Sequence, residues 1–346
     1  MNCIWICNNY GSIKDAIGRY TFRLIETINS EYKNINVKVF SGSTAEKSKL
    51  QRIYSMEMAH AFFYAIDEIK IRRVDFVCIE YPFIEWNPFI LYCMIKLSKV
   101  CRLHNCKIVL SIHEYKRSRF IRKKLIEILA KYSDVAFVTD YTNKVYLERI
   151  IKCYVRSIPS ILPTKQIDIS KKNYDKTFIY VGLVNKSKAF YEMLQAFVKF
   201  NFDGKKRLFV YTSSDVTFTQ SNGIQIIRGA SDDKLVEAFV SATFCILPSI
   251  PDISLCNSTL KVAAIAGCTI IGKFSDDLLS QCNFIVNSQS YSVDDICKSL
   301  QNAYDLDVSV LRNNAVLGSF WGKDYSFSKT ANEIIDVLYK LSYPGP

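Results

Sequence analysis

The sequence predicts an α/β protein made of two doubly wound, parallel-sheet domains. Three observations carry that expectation. Short β-rich runs alternate with longer helical patterns along the whole chain, the signature of βαβ units. The runs DFVCIE (75–80) and KIVLSI (107–112) are apolar on both faces, as inner strands of a parallel sheet are. The chain's 346 residues exceed what one core usually takes, at roughly 150 residues per domain, and a polar stretch with two prolines, Ile158 to Lys176, interrupts the alternation near the middle.

The first domain reads as a strand from Ile4 to Asn8, a helix from Asp15 to Asn29, a strand from Asn36 to Phe40 and a Met/Ala/Phe-rich helix from Met56 to Ile69. A strand from Asp75 to Glu80, a helix near Phe89 to Leu103 and a strand from Lys107 to Ile112 come next. A basic helix from Ser118 to Lys131, a strand from Val135 to Thr139 and a helix near Asn143 to Ile151 complete it. After the linker the pattern restarts with strands at Phe178 to Val181, Arg207 to Tyr211, Ile224 to Ile227, Thr243 to Leu247, Thr269 to Ile271 and Phe284 to Val286. Helices are expected at Ala189 to Phe200, Asp232 to Val240, Thr259 to Ala266, Val293 to Tyr304 and Ser326 to Leu341. The domains are therefore placed at 1–165 and 166–325, with a last helix in 326–346 packing back on the first.

Charge divides along the same line. Lys and Arg number 45 against 33 Asp and Glu, a formal net charge of +12. Residues 1–165 hold 27 basic and 15 acidic side chains and residues 166–346 hold 18 of each, so the whole excess lies in the first domain. A one-sided basic surface faces something anionic: nucleic acid, a phosphorylated substrate or a lipid headgroup. Nucleic acid is the weakest of these expectations, because no RRM, KH or helix-turn-helix pattern is present. The most hydrophobic stretch, Pro82 to Val100, is broken by Glu85, Pro88 and Lys96 and falls short of a membrane span. MNCIWICNNYG lacks a basic n-region and a small-residue cleavage site, so it reads as a first strand and not as a secretory signal. Twelve cysteines without a CxxC, and three histidines, predict no metal site; the thiols read as small core residues in a reducing cytosol.

In open α/β sheets, ligands bind beyond the carboxyl ends of the strands, where helix N-termini present free N–H groups. Four such edges stand out. NNYGSIKDAIGRY (8–20) runs from the first strand into a helix, but its Gly11 and Gly18 form no GxGxxG, and it reads either as a ligand loop or as a flexible connection capped by Asp15. His113, in SIHEY, directly follows a buried strand; a lone histidine is usually structural, yet this is the end of a strand that meets ligands. In YVGLVNKSKA (180–189) the strand ends at Gly182, and a lysine at the helix start meets a diphosphate as a point charge unless Lys186 and Lys188 are ordinary surface charges. In LPSIPDISLCNSTLKVAAIAGCTIIG (247–272) a loop carries Asp252, and Asn257, Ser258 or Thr259 caps an Ala-rich helix whose start favours a phosphate.

In order and spacing these segments resemble the retaining, metal-independent glycosyltransferases of the GT-B fold, specifically the group 1 (family 4) nucleotide-sugar transferases, over nearly the whole chain. DAIGRYTFRLIETI is similar to that family's first helix and SIHEY to its strand-end histidine motif. TFIYVGLVNKSKAFYEMLQAF is similar to the strand, glycine turn and helix that open its donor domain, and GASDDKLVEAFVSATFCILPS to its run into the donor site. The resemblance implies two facing Rossmann-like domains with a cleft between them, the first for the acceptor and the second for the donor. It implies that Lys188 holds the donor diphosphate, with Gly182 in the turn before it and Ser258 and Thr259 facing the β-phosphate. Asp252 falls where the family places the first glutamate of its E-x7-E pair, which binds sugar hydroxyls. His113 matches the histidine near the transferred sugar, and Gly11 with Gly18 the loop that meets sugar and phosphate. Two positions depart: the family's arginine after the strand-end glycine is Leu183, and Leu260 or Ala263 stands where the second glutamate belongs.

The implied activity is transfer of a sugar from a nucleotide diphosphate sugar, with retention, to a lipid-linked or polysaccharide acceptor, with His113 and Asp252 in the catalytic places. No cofactor or metal is expected. The implied setting is bacterial cell-surface glycan assembly, such as lipopolysaccharide or capsule. The alternative is a catalytically inactive GT-B subunit that binds a partner glycosyltransferase or a glycan; the two departures favour it, while the retained Asp252, Lys188 and His113 oppose it. The segment KRSRFIRKKLIEILAK (116–131) gathers Lys116, Arg117, Arg119, Arg122, Lys123 and Lys124 at its start, and Phe120, Ile121, Leu125, Ile126, Ile128 and Leu129 form an apolar set. It reads as a surface helix with its apolar stripe in the core. Its basic end is expected to meet anionic lipid, each charge adding about 1 kcal/mol near the bilayer. The expected location is cytoplasmic, bound peripherally to the inner face of the cell membrane.

Overall fold

The computed structural model describes residues 1–12, 15–42, 56–82, 89–113, 115, 118–164, 167–184, 188–201, 203–218 and 223–343. Lys116, Arg117 and Lys186 lie outside the described residues. The chain divides into two compact units, residues 1–161 with 327–346, and residues 162–326. The linker thus changes sides four residues earlier than its polarity indicates, because Leu162 and Ile167 pack against the core of unit 2.

Unit 1 is built on strands β1 (Asn2–Asn8), β2 (Asn36–Gly42), β3 (Phe76–Tyr81), β4 (Lys107–Ile112), β5 (Val135–Val138) and β6 (Cys153–Val155), all parallel, in the order β2-β1-β3-β4-β5-β6. Alternate residues of each strand enter opposite cores. Cys3, Trp5, Phe76, Cys78 and Val109 meet one core, together with Tyr20, Leu24 and Ile28 of helix α1 (Ala16–Glu31). Ile4, Ile6, Val77, Ile79, Ile108 and Leu110 meet the other, together with residues of α2 (Glu57–Ile71), α3 (Phe89–Leu103) and α4 (Phe120–Lys131). A short α5 (Tyr141–Leu147) replaces the longer helix expected near it. The terminal helix, Phe327–Ser342, belongs to this unit: Ala331, Ile334, Ile335 and Leu338 share the core of α1, and Glu333 accepts from the N–H and Oγ of Ser157 at 2.7 and 2.8 Å.

Unit 2 carries β7 (Phe178–Val181), β8 (Leu208–Tyr211), β9 (Ile224–Ile227), β10 (Phe244–Leu247), β11 (Thr269–Gly272) and β12 (Ile285–Asn287), parallel in the order β12-β11-β10-β7-β8-β9. That is the doubly wound Rossmann order, with its reversal between β7 and β10. Its helices are α6 (Phe190–Phe200), α7 (Asp232–Ser241), α8 (Ser258–Ile265), α9 (Asp276–Leu279), α10 (Val293–Tyr304) and α11 (Val308–Lys323). Strand β6 and helices α9 and α11 go beyond the sequence expectation. Helix α11 shows no apolar stripe in the sequence because its buried face is largely small: Ala315, Gly318, Ser319 and Gly322. A Cβ on Gly322 would lie 2.6 Å from Ile265 Cγ1, and one on Gly318 3.3 Å from the Ala264 carbonyl oxygen. Missing side chains let α11 lie directly on α8.

Two buried lysines secure helix ends and a loop of unit 2. Lys172 donates from Nζ to the carbonyls of Phe239, Val240, Ala242 and Ala266 at 3.3, 3.0, 2.6 and 2.8 Å. These carbonyls end α7 and α8, so one ammonium answers the negative ends of two helices. Lys261, inside α8, is wholly buried, and desolvation pulls its pKa down to about 7. Its Nζ donates to the Leu255 carbonyl and stands 5.0 Å from the Tyr325 ring centroid, tying the loop before α8 to the helix.

Lys172→Met removes this ammonium from the Val240 and Ala266 carbonyls and leaves those of Phe239 and Ala242 only the weak Cys268 Sγ donor, at 3.2 and 3.4 Å, so it is expected to cost about 2–5 kcal/mol in urea unfolding. Lys261 gives a pH signature. Unfolded, its amine keeps a proton up to about pH 10.4; folded, only to about 7. Between those values the unfolded state binds the extra proton, so this side chain makes stability rise with pH. Lys261→Met is expected to gain most over the wild type near neutral pH, with the gain shrinking as pH climbs; a difference between the two unfolding midpoints that ignores pH would contradict this.

Candidate functional site

Each sheet reverses strand order once, and open α/β sheets bind ligands in the crevice outside the strand ends at such a point. In unit 2 the reversal lies between β7 and β10. Lys188, just after β7, donates from Nζ to Oγ of Ser249, just after β10, at 3.1 Å, and the Ala189 N–H bonds the Pro248 carbonyl at 2.8 Å. Gly182 directly follows β7, its N–H bonded to the Tyr211 carbonyl at 3.1 Å. Asp252 accepts from Tyr291 Oη at 2.6 Å and pairs with Lys273 Nζ at 3.5 Å, and that ammonium stands 5.2 Å from the Tyr291 ring centroid. The Ile253 N–H bonds the Lys273 carbonyl and the Ser275 N–H bonds the Ile253 carbonyl, at 2.8 and 2.9 Å, which clips the Asp252 loop to the segment after β11.

Asn257 is the residue that caps α8, its Oδ1 accepting from the Leu260 N–H at 3.0 Å. Ser258 and Thr259 occupy the first turn, half-buried. Leu260 and Ala263 are wholly buried and Leu183 is exposed, so neither departure from the family pattern is made good by an acid or a guanidinium at that position. Lys273 and Tyr291 belong to no motif. Their only signal in the sequence is place: one directly follows a strand, the other precedes helix α10 beside its cap Ser292.

In unit 1 the reversal lies between β1 and β3. Gly11 takes a φ of +75° and its N–H bonds the Gly18 carbonyl at 3.1 Å. A Cβ on Gly18 would fall 2.1 Å from the Asn9 carbonyl oxygen, so a glycine is required where the helix start meets the strand end. Asp15 caps α1, Oδ1 accepting from the N–H groups of Ile17 and Gly18 at 2.9 and 3.1 Å, and Oδ2 accepts from Asn9 Nδ2 at 2.8 Å.

His113 follows β4 with its side chain 13% exposed and Nε2 2.8 Å from Glu80 Oε2. Glu80 and Arg156 are both buried, joined through Nη1–Oε1 at 3.3 Å and Nη2–Oε2 at 2.9 Å, and Trp5 Nε1 donates to Oε1 at 3.1 Å. Burial opposes ionisation of Glu80, but the Arg156 charge and the His113 hydrogen bond overcome it and hold the carboxyl well below the usual range. The Tyr20 ring packs edge-on to His113 at 5.3 Å between centroids and lies 5.0 Å from the Arg156 guanidinium carbon. Glu80 is legible in the sequence only as the charge that ends the apolar run DFVCIE, and Arg156 follows a strand that the sequence reading did not place.

Helix α4 departs from its expected orientation. Ile126 and Leu129 are buried, but Phe120 and Ile121 are 72% and 70% exposed, because burial is confined to the second half of the helix. They stand among Arg119, Arg122, Lys123 and Lys124, with Lys124 paired to Glu127 at 2.9 Å and Lys123 5.8 Å from the Tyr115 ring centroid. Tyr115 in turn packs on Tyr146 of α5, at 6.2 Å, and Tyr141 and Val145 of that helix are also exposed. Among the described residues, no group of three or more His, Cys, Asp or Glu side chains is placed to hold a metal ion, and no helix is long and apolar enough to cross a membrane.

No protein-family model and no curated protein sequence matches the chain. Solved structures do match in shape. A glycosyltransferase from Rickettsia africae is 11% identical with a TM-score of 0.71, covering 99% of both chains. A trehalose-6-phosphate structure from E. coli bound with UDP-2-fluoro glucose is 11% identical with a TM-score of 0.69, over 98% of this chain and 99% of that one. An alpha-glucosyltransferase in complex with UDP-glucose and DNA is 12% identical with a TM-score of 0.66, over 98% and 99%. At such identities the likeness is one of fold, and it runs through both units: the chain has the GT-B fold of these glycosyltransferases.

Proposed function

We propose that the chain is a retaining glycosyltransferase that takes a sugar from a nucleoside diphosphate sugar held on unit 2 and joins it to an acceptor hydroxyl held on unit 1. The observation that carries this is the Lys188–Ser249 pair at the strand reversal of unit 2, on the sheet edge where α8 begins. As the bond from the anomeric carbon to the diphosphate breaks, negative charge grows on the leaving oxygens. A fixed ammonium, with N–H groups at the helix start near Ser258 and Thr259, stabilises that charge without rearranging, and no metal or cofactor is needed for that role. The acceptor oxygen bonds the same face of the sugar, and its proton passes to the departing diphosphate. Asp252 supplies a carboxylate for sugar hydroxyls, with Tyr291 and Lys273 fixing its direction. UDP-glucose and a UDP-sugar analogue occupy the neighbours, which makes uridine donors the first to try.

The +12 charge, gathered in the half of the chain that forms most of unit 1, supports an acceptor at an anionic surface. Exposed Phe120 and Ile121 among basic side chains fit a bilayer interface, where rings and aliphatic groups enter and the cations meet headgroups. A lipid-linked or polysaccharide acceptor of a bacterial cell surface, reached from the inner leaflet, follows from that reading. The alternative of an inactive subunit serving a partner glycosyltransferase rests on Leu183 and on the buried Leu260 and Ala263.

Donor hydrolysis and transfer, assayed over a panel of nucleoside diphosphate sugars, separate the two. Lys188→Ala is expected to lower kcat/KM about a hundredfold, the loss typical of one oxyanion donor, and Asp252→Ala to lower it as well. A wild type no more active than either variant with every donor would leave the inactive subunit standing. Sedimentation with vesicles tests the surface: binding to anionic but not neutral lipid is expected, weakened by salt and by Phe120→Ser with Lys123→Glu. Displacement of the vesicles by duplex DNA of equal charge would turn the basic face towards nucleic acid instead.

A further inference from the structure

A buried ammonium opposes folding unless an opposite charge is paired with it, and Lys261 of α8 is wholly buried. Helix α11 seals it in: a Cβ on Gly322 would lie 3.2 Å from the Lys261 carbonyl oxygen, so the two backbones meet without a layer of water between them. The charge also stands at the unfavourable end of its own helix. Nζ donates to the carbonyl of Leu255, three residues before α8 begins, and the positive end of the helix dipole disfavours a cation there. A methionine would bury the same stem with neither cost. Ionisable groups strained in this way cluster at functional sites.

What the ammonium holds is the loop that carries Asp252. One end of that loop is clipped at Ile253, whose N–H bonds the Lys273 carbonyl at 2.8 Å and whose carbonyl accepts from the Ser275 N–H at 2.9 Å. At the other end the Asn257 N–H bonds the Ser254 carbonyl at 3.0 Å, a turn that brings Asn257 to the cap of α8. Lys261 reaches the residue between, and of these three ties only the last changes charge. Burial pulls its amine to a pKa of about 7, and a neutral amine is a weaker donor to a carbonyl than an ammonium. The groups that face or act on Nζ are the Leu255 carbonyl and the Cys256 thiol from the loop, Cys282 after α9, and the Tyr325 ring after α11, with its centroid at 5.0 Å. Burial pushes the Cys282 thiol up to about 11, so it brings no charge near neutral pH.

We propose that Lys261 is a positioning residue of the donor site: its ammonium, fixed beneath the start of α8, holds the Leu255 carbonyl and with it the loop between Asp252 and Asn257, and an anionic donor on that edge is bound by the charged form. The donor part rests on the glycosyltransferase reading; the tie to the loop does not. Linkage fixes the sign. A nucleoside diphosphate sugar keeps its phosphate charges throughout the neutral range, so it favours the proton on Lys261 and draws a fraction of a proton from solution when it binds near pH 7. Raising the pH through that range then weakens binding.

Isothermal titration of the full chain with UDP-glucose, then with GDP-glucose and ADP-glucose, is run in PIPES and in Tris, buffers that release protons with different heats. At pH 7 the wild type is expected to give different heats in the two, the signature of proton uptake, and to lose about tenfold in affinity from pH 6 to pH 9. Lys261→Met is expected to give one heat in both buffers and an affinity that changes little over that range. Equal heats for the wild type, or the same uptake in the variant, would overturn the coupling. Hydrogen–deuterium exchange without donor reads the tie itself: residues 253–257 are expected to exchange faster in Lys261→Met than in the wild type at pH 6, with the gap closing by pH 9. Identical exchange of the two proteins at both pH values overturns it. A wild type that binds none of these donors removes the donor reading, and the loop exchange still decides the tie.

Discussion

Every strand in both sheets runs the same way, and that constraint organises the rest of the molecule. Parallel pairing needs a crossover for each strand, so helices cover both faces, the strands become apolar on both sides, and all carboxyl ends collect on one edge. Loop side chains distant in sequence are thereby brought together, as Lys188 with Ser249 and Asp252 with Lys273 and Tyr291. The same edge of unit 1 collects Gly11, Glu80, His113 and Arg156. The candidate site in each unit is a consequence of strand direction before it is a matter of particular side chains.

The cost of that architecture appears at helix ends and at buried charges. Helices α7 and α8 end inside the unit, and Lys172 answers the last carbonyls of both at once. Lys261 is less well compensated; one carbonyl and one ring face it, and its lowered pKa is the measure of the shortfall. Glu80 and Arg156 compensate one another directly, through two hydrogen bonds between opposite charges. Lys172 and Lys261 hold backbone in place in unit 2, and the third group, the ion pair, meets His113 at the candidate site of unit 1.

Periodicity made the α/β class and most elements legible. Helix α10 and strand β4 fall where the apolar pattern places them. What escaped was structure made by small residues or long reach. Helix α11 is invisible to a search for apolar stripes because much of its buried face is small and Gly318 and Gly322 lie against α8. Phe120 and Ile121 match a core stripe by spacing, yet they precede the part of α4 that touches the sheet. Strand-end position pointed to Lys188, Asp252 and His113, but not to their partners. Glu80 is separated from Arg156 by 76 positions and from His113 by 33, and no local pattern records such a meeting.

Hydrogen–deuterium exchange of the whole chain, with and without UDP-glucose and then other nucleoside diphosphate sugars, reads directly whether unit 2 binds such a donor at its strand reversal. Slowed exchange is predicted for the start of α6 beside Lys188 and for the loop from Pro248 into α8. Unchanged exchange in both segments with every donor would contradict that binding.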